Sequence, residues 1–162
     1  MTLSIVIPAF NEEKLLGATL QAVATARGAF AEAGWDSEVV VCDNNSTDRT
    51  AEIARSFPGV CVIEFPVNLG HGVALQVTYR FCITRGAKYV VTLDADGQHA
   101  PEEIPALLAA LDNGAAMVVG SRFPGSRTEQ TSYSVGRTRR LAMRMLTAVL
   151  RMLLGQRFTD TS

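Results

Sequence analysis

The sequence predicts an α/β protein, a three-layer α/β/α sandwich around a mostly parallel, twisted sheet. Two observations carry this. Short Val- and Ile-rich runs alternate with helix-like segments at the spacing of βαβ units. The runs are also nearly continuous in apolar character, as expected of strands covered on both faces. The 162 residues suit one domain with one core: 48% are hydrophobic and 19% charged, too apolar for a disordered chain.

Taken in order, Leu3–Pro8 is the first strand, closed by proline, and residues 12–33 have helical composition. Glu38–Cys42 is the second strand, and a short helix follows over 48–57 with Ser46, Thr47 or Asp48 as its N-cap. Val60–Phe65 is the third strand and 72–85 a helix. Tyr89–Leu93 is the fourth strand. Residues 101–111 form a helix with Pro101 in its first turn and two glutamates on the positive end of its dipole. Met117–Gly120 reads as a fifth strand, 125–134 as a polar loop and 137–154 as a long helix.

The formal net charge of −1 argues against a nucleic-acid partner, since any basic surface must be local. Three cysteines, Cys42, Cys61 and Cys82, sit in apolar runs without a CxxC, which suits buried thiols in a reducing, cytoplasmic setting. No basic leader precedes the first apolar run, and no apolar stretch reaches the length of a membrane span.

In parallel sheets, ligands gather beyond the carboxyl ends of the strands. There this chain places Pro8–Glu13, Asp43–Asp48, Asn68–Gly72, Asp94–His99 and Ser121–Arg122. One polar loop is ordinary turn chemistry; a series of them at one sheet edge points to a site. A GxGxxG dinucleotide turn and a P-loop are both absent. Gly70-His71-Gly72 is also what a tight turn into a helix requires. In Asp94-Ala95-Asp96, two carboxylates two residues apart point the same way, and a divalent cation would relieve their repulsion. Mg²⁺ or Mn²⁺ is held by one or two carboxylates with phosphate oxygens completing the shell, and Gln98 or His99 could add a ligand. Such a cation stabilises a departing diphosphate, to which Arg122 would add positive charge; alone, that arginine reads as an ordinary surface residue.

The motifs Val6-Ile7-Pro8-Ala9-Phe10-Asn11-Glu12-Glu13, Asp43-Asn44-Asn45-Ser46-Thr47-Asp48, Asn68-Leu69-Gly70-His71-Gly72-Val73-Ala74 and Asp94-Ala95-Asp96-Gly97-Gln98-His99-Ala100-Pro101-Glu102 resemble those of family 2 glycosyltransferases of the GT-A fold, nearest the dolichyl- and polyprenyl-phosphate sugar synthases. The resemblance implies inverting transfer of a sugar from a UDP- or GDP-sugar, with Mg²⁺ or Mn²⁺, to a lipid phosphate or another membrane-associated acceptor. It implies that Pro8, Phe10, Glu12, Val41 and Asp43 hold the nucleoside, with Phe10 equally suited to the core. It places Asp94, Ala95 and Asp96 at the ribose and diphosphate, makes Asp96 and Gln98 the metal ligands, and gives Arg122 a phosphate. Arg137 would meet the acceptor phosphate, and Asp160 matches a position credited with general-base work.

Two departures stand out. The family's second loop carries two adjacent acids where this chain has Asp43-Asn44, and family members continue past Asp160-Thr161-Ser162. The expectation is one catalytic domain over 1–162, cut short on its acceptor side. The arginine-rich segment from Arg137 reads either as a helix packed on the sheet or as a basic amphipathic helix at an anionic membrane face. The alternatives are a non-catalytic nucleotide-sugar-binding fragment and a sugar nucleotidyltransferase; the second wants a glycine-rich first loop, and Pro8–Glu13 has no glycine. The oligomeric state is not encoded in any of these signals.

Overall fold

A computed structural model describes residues 2–120. The chain divides into two compact units, Met1–Ala115 and Ala116–Ser162. The first contains four strands, β1 (Thr2–Ala9), β2 (Asp36–Asp43), β3 (Val60–Glu64) and β4 (Tyr89–Thr92). Between and after them lie four helices, α1 (Leu16–Glu32), α2 (Thr50–Ser56), α3 (His71–Thr84) and α4 (Ile104–Asp112). A single 3₁₀ turn, Pro101–Glu103, leads into α4.

The strands are all parallel in the order β3-β2-β1-β4. Strand alternation splits the core into two layers. Ile5, Ile7, Val39, Val41 and Val91 pack with Leu20, Val23 and Phe30 of α1 and with Ile104 and Leu108 of α4. Val6 and Val40 face the other way, onto Cys82, Leu75 and Tyr79 of α3. The sandwich is therefore three-layered, as expected. Cys42 and Cys82 are buried, Cys61 is half-buried, and all three are free thiols. Burial pushes the thiols of Cys42 and Cys82 above their ordinary value, which keeps them protonated.

The topology positions the ligand crevice. From β1 the chain winds through α1 to β2 and through α2 to β3, then crosses by α3 to β4 on the opposite side of β1. The direction of winding reverses between β1 and β4, and at such a switch point the loops leaving neighbouring strands part to open a crevice.

Two expectations fail. The first helix begins at Leu16 rather than residue 12; residues 13–15 form a turn, and the N–H groups of Glu12 and Glu13 donate to side chains of the next loop, Thr50 Oγ1 at 2.8 Å and Asp48 Oδ2 at 3.1 Å. Met117–Gly120 is not a strand; Met117 and Val119 lie exposed and join no ladder among the described residues. Branched side chains favour a strand only where a sheet edge receives them. The predicted loop at 125–134 and helix at 137–154 lie outside the described residues.

Candidate functional site

At the switch point lies an open cleft of about 360 Å³, lined by Pro8, Ala9, Phe10, Glu12, Asn44, Asn68, His71 and Asp94–Asp96. Loops from β1, β2, β3 and β4 all reach it. The structure thus brings together Pro8, Phe10, Glu12, Asp94, Ala95 and Asp96 from the predicted set.

The first wall is held by a zipper between two loops. Asn11 adopts φ +56°, donates its N–H to Ser46 Oγ (2.9 Å) and accepts the N–H of Thr47 at Oδ1 (2.8 Å). Asparagine tolerates this left-handed backbone better than most residues. The Asp48 carboxylate receives Thr50 N–H at 2.9 Å and Glu13 N–H through its other oxygen, tying two loops together, while the N-cap of α2 is Arg49 rather than the expected Ser46, Thr47 or Asp48. Its pKa falls below the ordinary value: burial alone would raise it, but hydrogen bonds from Thr50 and from the Glu13 backbone outweigh that. The zipper leaves Phe10 about half exposed, 46%, at the cleft. This settles the choice between core and cleft: an open aromatic face suits stacking on a planar base.

The opposite wall follows β4. Leu93 continues the ladder by donating to Val6 O (3.0 Å), and Asp94 and Asp96 then lie half-buried on either side of buried Ala95. Thr19 of α1 donates to Ala95 O at 2.9 Å, fixing the segment from below. Asp96 Oδ1 accepts Gln98 N–H at 3.0 Å, closing a turn in which Gly97 takes φ +73°. Asp94 N–H donates to His99 Nδ1 at 2.9 Å. That bond engages Nδ1 in tethering the loop, so His99 is not free to give Nδ1 to a metal.

Glu12, Asp94 and Asp96 make the cleft strongly acidic. The Glu12 carboxyl is raised above its ordinary 4.5, first by burial and then by repulsion from Asp96, Asp48 and Asp94. A raised acid favours the folded state when protonated: that contribution is full below about pH 4.5 and lost as pH rises through the folded value. Glu12→Gln should therefore flatten the slope of stability against pH across that window in metal-free protein. Urea titrations from about pH 4 to pH 7 measure the slope; a slope equal to wild type would assign it to other groups.

Asp43 is buried at the end of β2. Its Oδ2 accepts Ser46 N–H at 3.2 Å, while Oδ1 has no hydrogen-bond partner among the described residues. Buried acceptors are nearly always satisfied, so this one is informative. Val41, expected at the nucleoside, is fully buried in the core layer beneath α1 and α2, and its side chain cannot reach a ligand. It supports the strand that ends in Asp43. Gln98 is exposed beside Asp96. Arg122, Arg137 and Asp160 lie outside the described residues.

No three His, Cys, Asp or Glu residues form a cage for a metal among the described residues. The donors nonetheless fit a hard cation of the Mg²⁺ type, which needs only one or two carboxylates when phosphates supply the rest. Among the described residues, no Lys or Arg lines the cleft to offset its carboxylates.

The model of the family described as glycosyl transferase family 2 matches residues 4–158. The chain belongs to this family. Among curated relatives, it is 33% identical over 160 residues to an undecaprenyl-phosphate 4-deoxy-4-formamido-L-arabinose transferase of Edwardsiella ictaluri, covering 97% of this chain and 46% of that one. It is 34% identical over 128 residues to a dolichol-phosphate mannosyltransferase of Pyrococcus furiosus, covering 76% and 34%. Among solved structures, glucosyl-3-phosphoglycerate synthase of Mycobacterium tuberculosis in complex with uridine diphosphate matches with TM-score 0.60 and 26% identity, over 95% of this chain and 52% of that one. The family 2 fold here is of the GT-A type. The chain spans about half or less of the length of these relatives.

Sequence reasoning missed the parts played by Asn11, Asn44, Asn68 and His71. Their loops were in view, but single amides at turns look alike until their partners are known.

Proposed function

We propose that this family 2 chain binds a nucleotide-diphospho-sugar, UDP- or GDP-linked, in the switch-point cleft and takes part in inverting sugar transfer to a polyprenyl or dolichyl phosphate. The observation that carries the reading is the cleft itself: an open aromatic ring and a pair of half-buried aspartates at one sheet edge. The base would stack on Phe10, and its imino N–H suits the orphan acceptor of Asp43. Pro8 and Glu12 flank that end, and Asp94 and Ala95 the ribose and diphosphate.

Asp96 and Gln98 would hold Mg²⁺ or Mn²⁺, which supplies charge to the departing diphosphate. In the transfer, the acceptor phosphate oxygen bonds to the anomeric carbon as the bond from that carbon to the diphosphate oxygen breaks. That oxyanion is already a nucleophile at neutral pH, so a lipid-phosphate acceptor needs no general base; Asp160 would be needed for a hydroxyl acceptor. Arg122 is assigned to the donor phosphates and Arg137 to the acceptor phosphate. Relatives named for polyprenyl and dolichol phosphates support the acceptor class. No helix among the described residues is long and apolar enough to cross a membrane. Peripheral attachment at the cytoplasmic face through the basic segment fits such an acceptor.

A second reading is that the chain holds the donor without transferring it. Calorimetry with UDP and GDP, with and without Mn²⁺, beside a turnover assay separates the two. Mn²⁺-dependent binding with turnover supports transfer, and binding alone supports the donor-holding reading. Absence of binding to either nucleotide refutes both.

A further inference from the structure

The family 2 departure at position 44 has a structural counterpart. Asn44 is nearly fully buried beside the cleft, and both ends of its amide are engaged. Its Oδ1 accepts Leu69 N–H at 2.9 Å, and its Nδ2 donates to Asn68 Oδ1 at 3.0 Å. Asn68 Oδ1 also accepts Gly70 N–H at 2.9 Å. The Asn44 backbone is tied as well, N–H to Ala9 O at 2.9 Å. These bonds join the ends of β1 and β2 to the turn that carries His71, the first residue of α3, to the cleft. Gly70 sits in that turn at φ +76°.

We infer that Asn44 is a positioning residue: with Asn68 it forms an amide relay that fixes the His71 corner of the cleft, and it does not read the ligand. The donor and acceptor pattern makes the relay specific. An aspartate at 44 would still accept Leu69 N–H but would oppose Asn68 Oδ1 acceptor to acceptor. Turning the Asn68 amide over relieves that clash only by taking the acceptor away from Gly70. An aspartate at 68, by contrast, accepts both bonds.

The test uses backbone amide exchange by NMR on the full chain, with dissociation constants for UDP and GDP in Mn²⁺; the binding arm rests on the proposed donor site and the exchange arm does not. N44D should speed exchange at Gly70 by about tenfold while Leu69 stays protected, as expected for loss of one hydrogen bond. N44A should expose Leu69, and N68D should leave both protected. N44A adds no charge, and it should weaken UDP and GDP by the same factor, about three- to tenfold. Unchanged Gly70 exchange in N44D overturns the relay. A shifted ratio of UDP to GDP affinity in N44A overturns the claim that Asn44 does not read the base. If wild type binds neither nucleotide, the donor-site reading falls and the exchange pattern alone decides the relay; should N44A fail to fold, N44D and N68D still carry opposite expectations.

Discussion

Asp96→Asn is expected to weaken Mn²⁺-dependent nucleotide-sugar binding by more than about 100-fold, since even outer-shell changes at metal sites cost 10- to 100-fold and this change would strike a direct ligand. The fold should survive. The amide oxygen of asparagine can still accept the Gln98 N–H that Asp96 Oδ1 accepts at 3.0 Å, so the turn through Gly97 is kept. What is lost is negative charge on the one carboxylate that both closes this turn and faces the cleft. Asp96→Ala removes the turn bond as well, and should add a loss of stability of about 1 kcal/mol to the loss of binding. Titrating Mn²⁺ at fixed UDP or GDP, with melting curves alongside, separates the two effects. Where transfer is assayed, its metal-dependent part should vanish in both variants. Wild-type transfer in either one would remove Asp96 from the metal site.

The layered fold was legible because burial on both faces leaves a strong mark: Ile5-Val6-Ile7 and Val39-Val40-Val41 are apolar at every position since successive residues enter opposite layers. The cleft was legible for a related reason. A parallel sheet puts all its strand-to-helix loops at one edge, so Phe10, Asp94 and Asp96 could be grouped without knowing any distance. Contacts between loops were not legible. The turn that precedes α1 is tied to Thr50 and Asp48, which lie about 35 residues away and leave no trace in the local pattern of residues 12–15. Val41 shows the opposite error. Family position alone put it at the ligand, but strand periodicity turns it inward, with Ile5 and Ile7 on the α1 face of the sheet. The amide pair Asn44 and Asn68 combines both difficulties: each is an ordinary turn residue by itself, and its meaning comes from the orientation of the other. Met117–Gly120 has the composition of a strand but joins no ladder among the described residues.

Asp43→Asn is expected to lower nucleotide binding without lowering stability. The carboxylate lies buried with one oxygen on Ser46 N–H and the other unpartnered among the described residues. An isolated folded chain gains nothing from that arrangement, since burying an acceptor without a donor costs free energy. Asparagine keeps the side-chain shape and the acceptor toward Ser46, so the ligand-free protein should melt no lower than wild type. Binding should suffer. Uracil and guanine both present an imino N–H, and the NH₂ of asparagine would meet it donor to donor where the carboxylate oxygen accepts. Loss of a hydrogen bond to a charged acceptor is worth about 1.5–3 kcal/mol, or roughly 10- to 150-fold in affinity, before the mismatch is added. Residues kept for a ligand commonly cost stability in its absence, so unchanged melting with lost binding is the signature of such a residue. A lower melting temperature with wild-type nucleotide affinity would instead make Asp43 a structural brace for the loop at Ser46, and the base would have to be held elsewhere in the cleft.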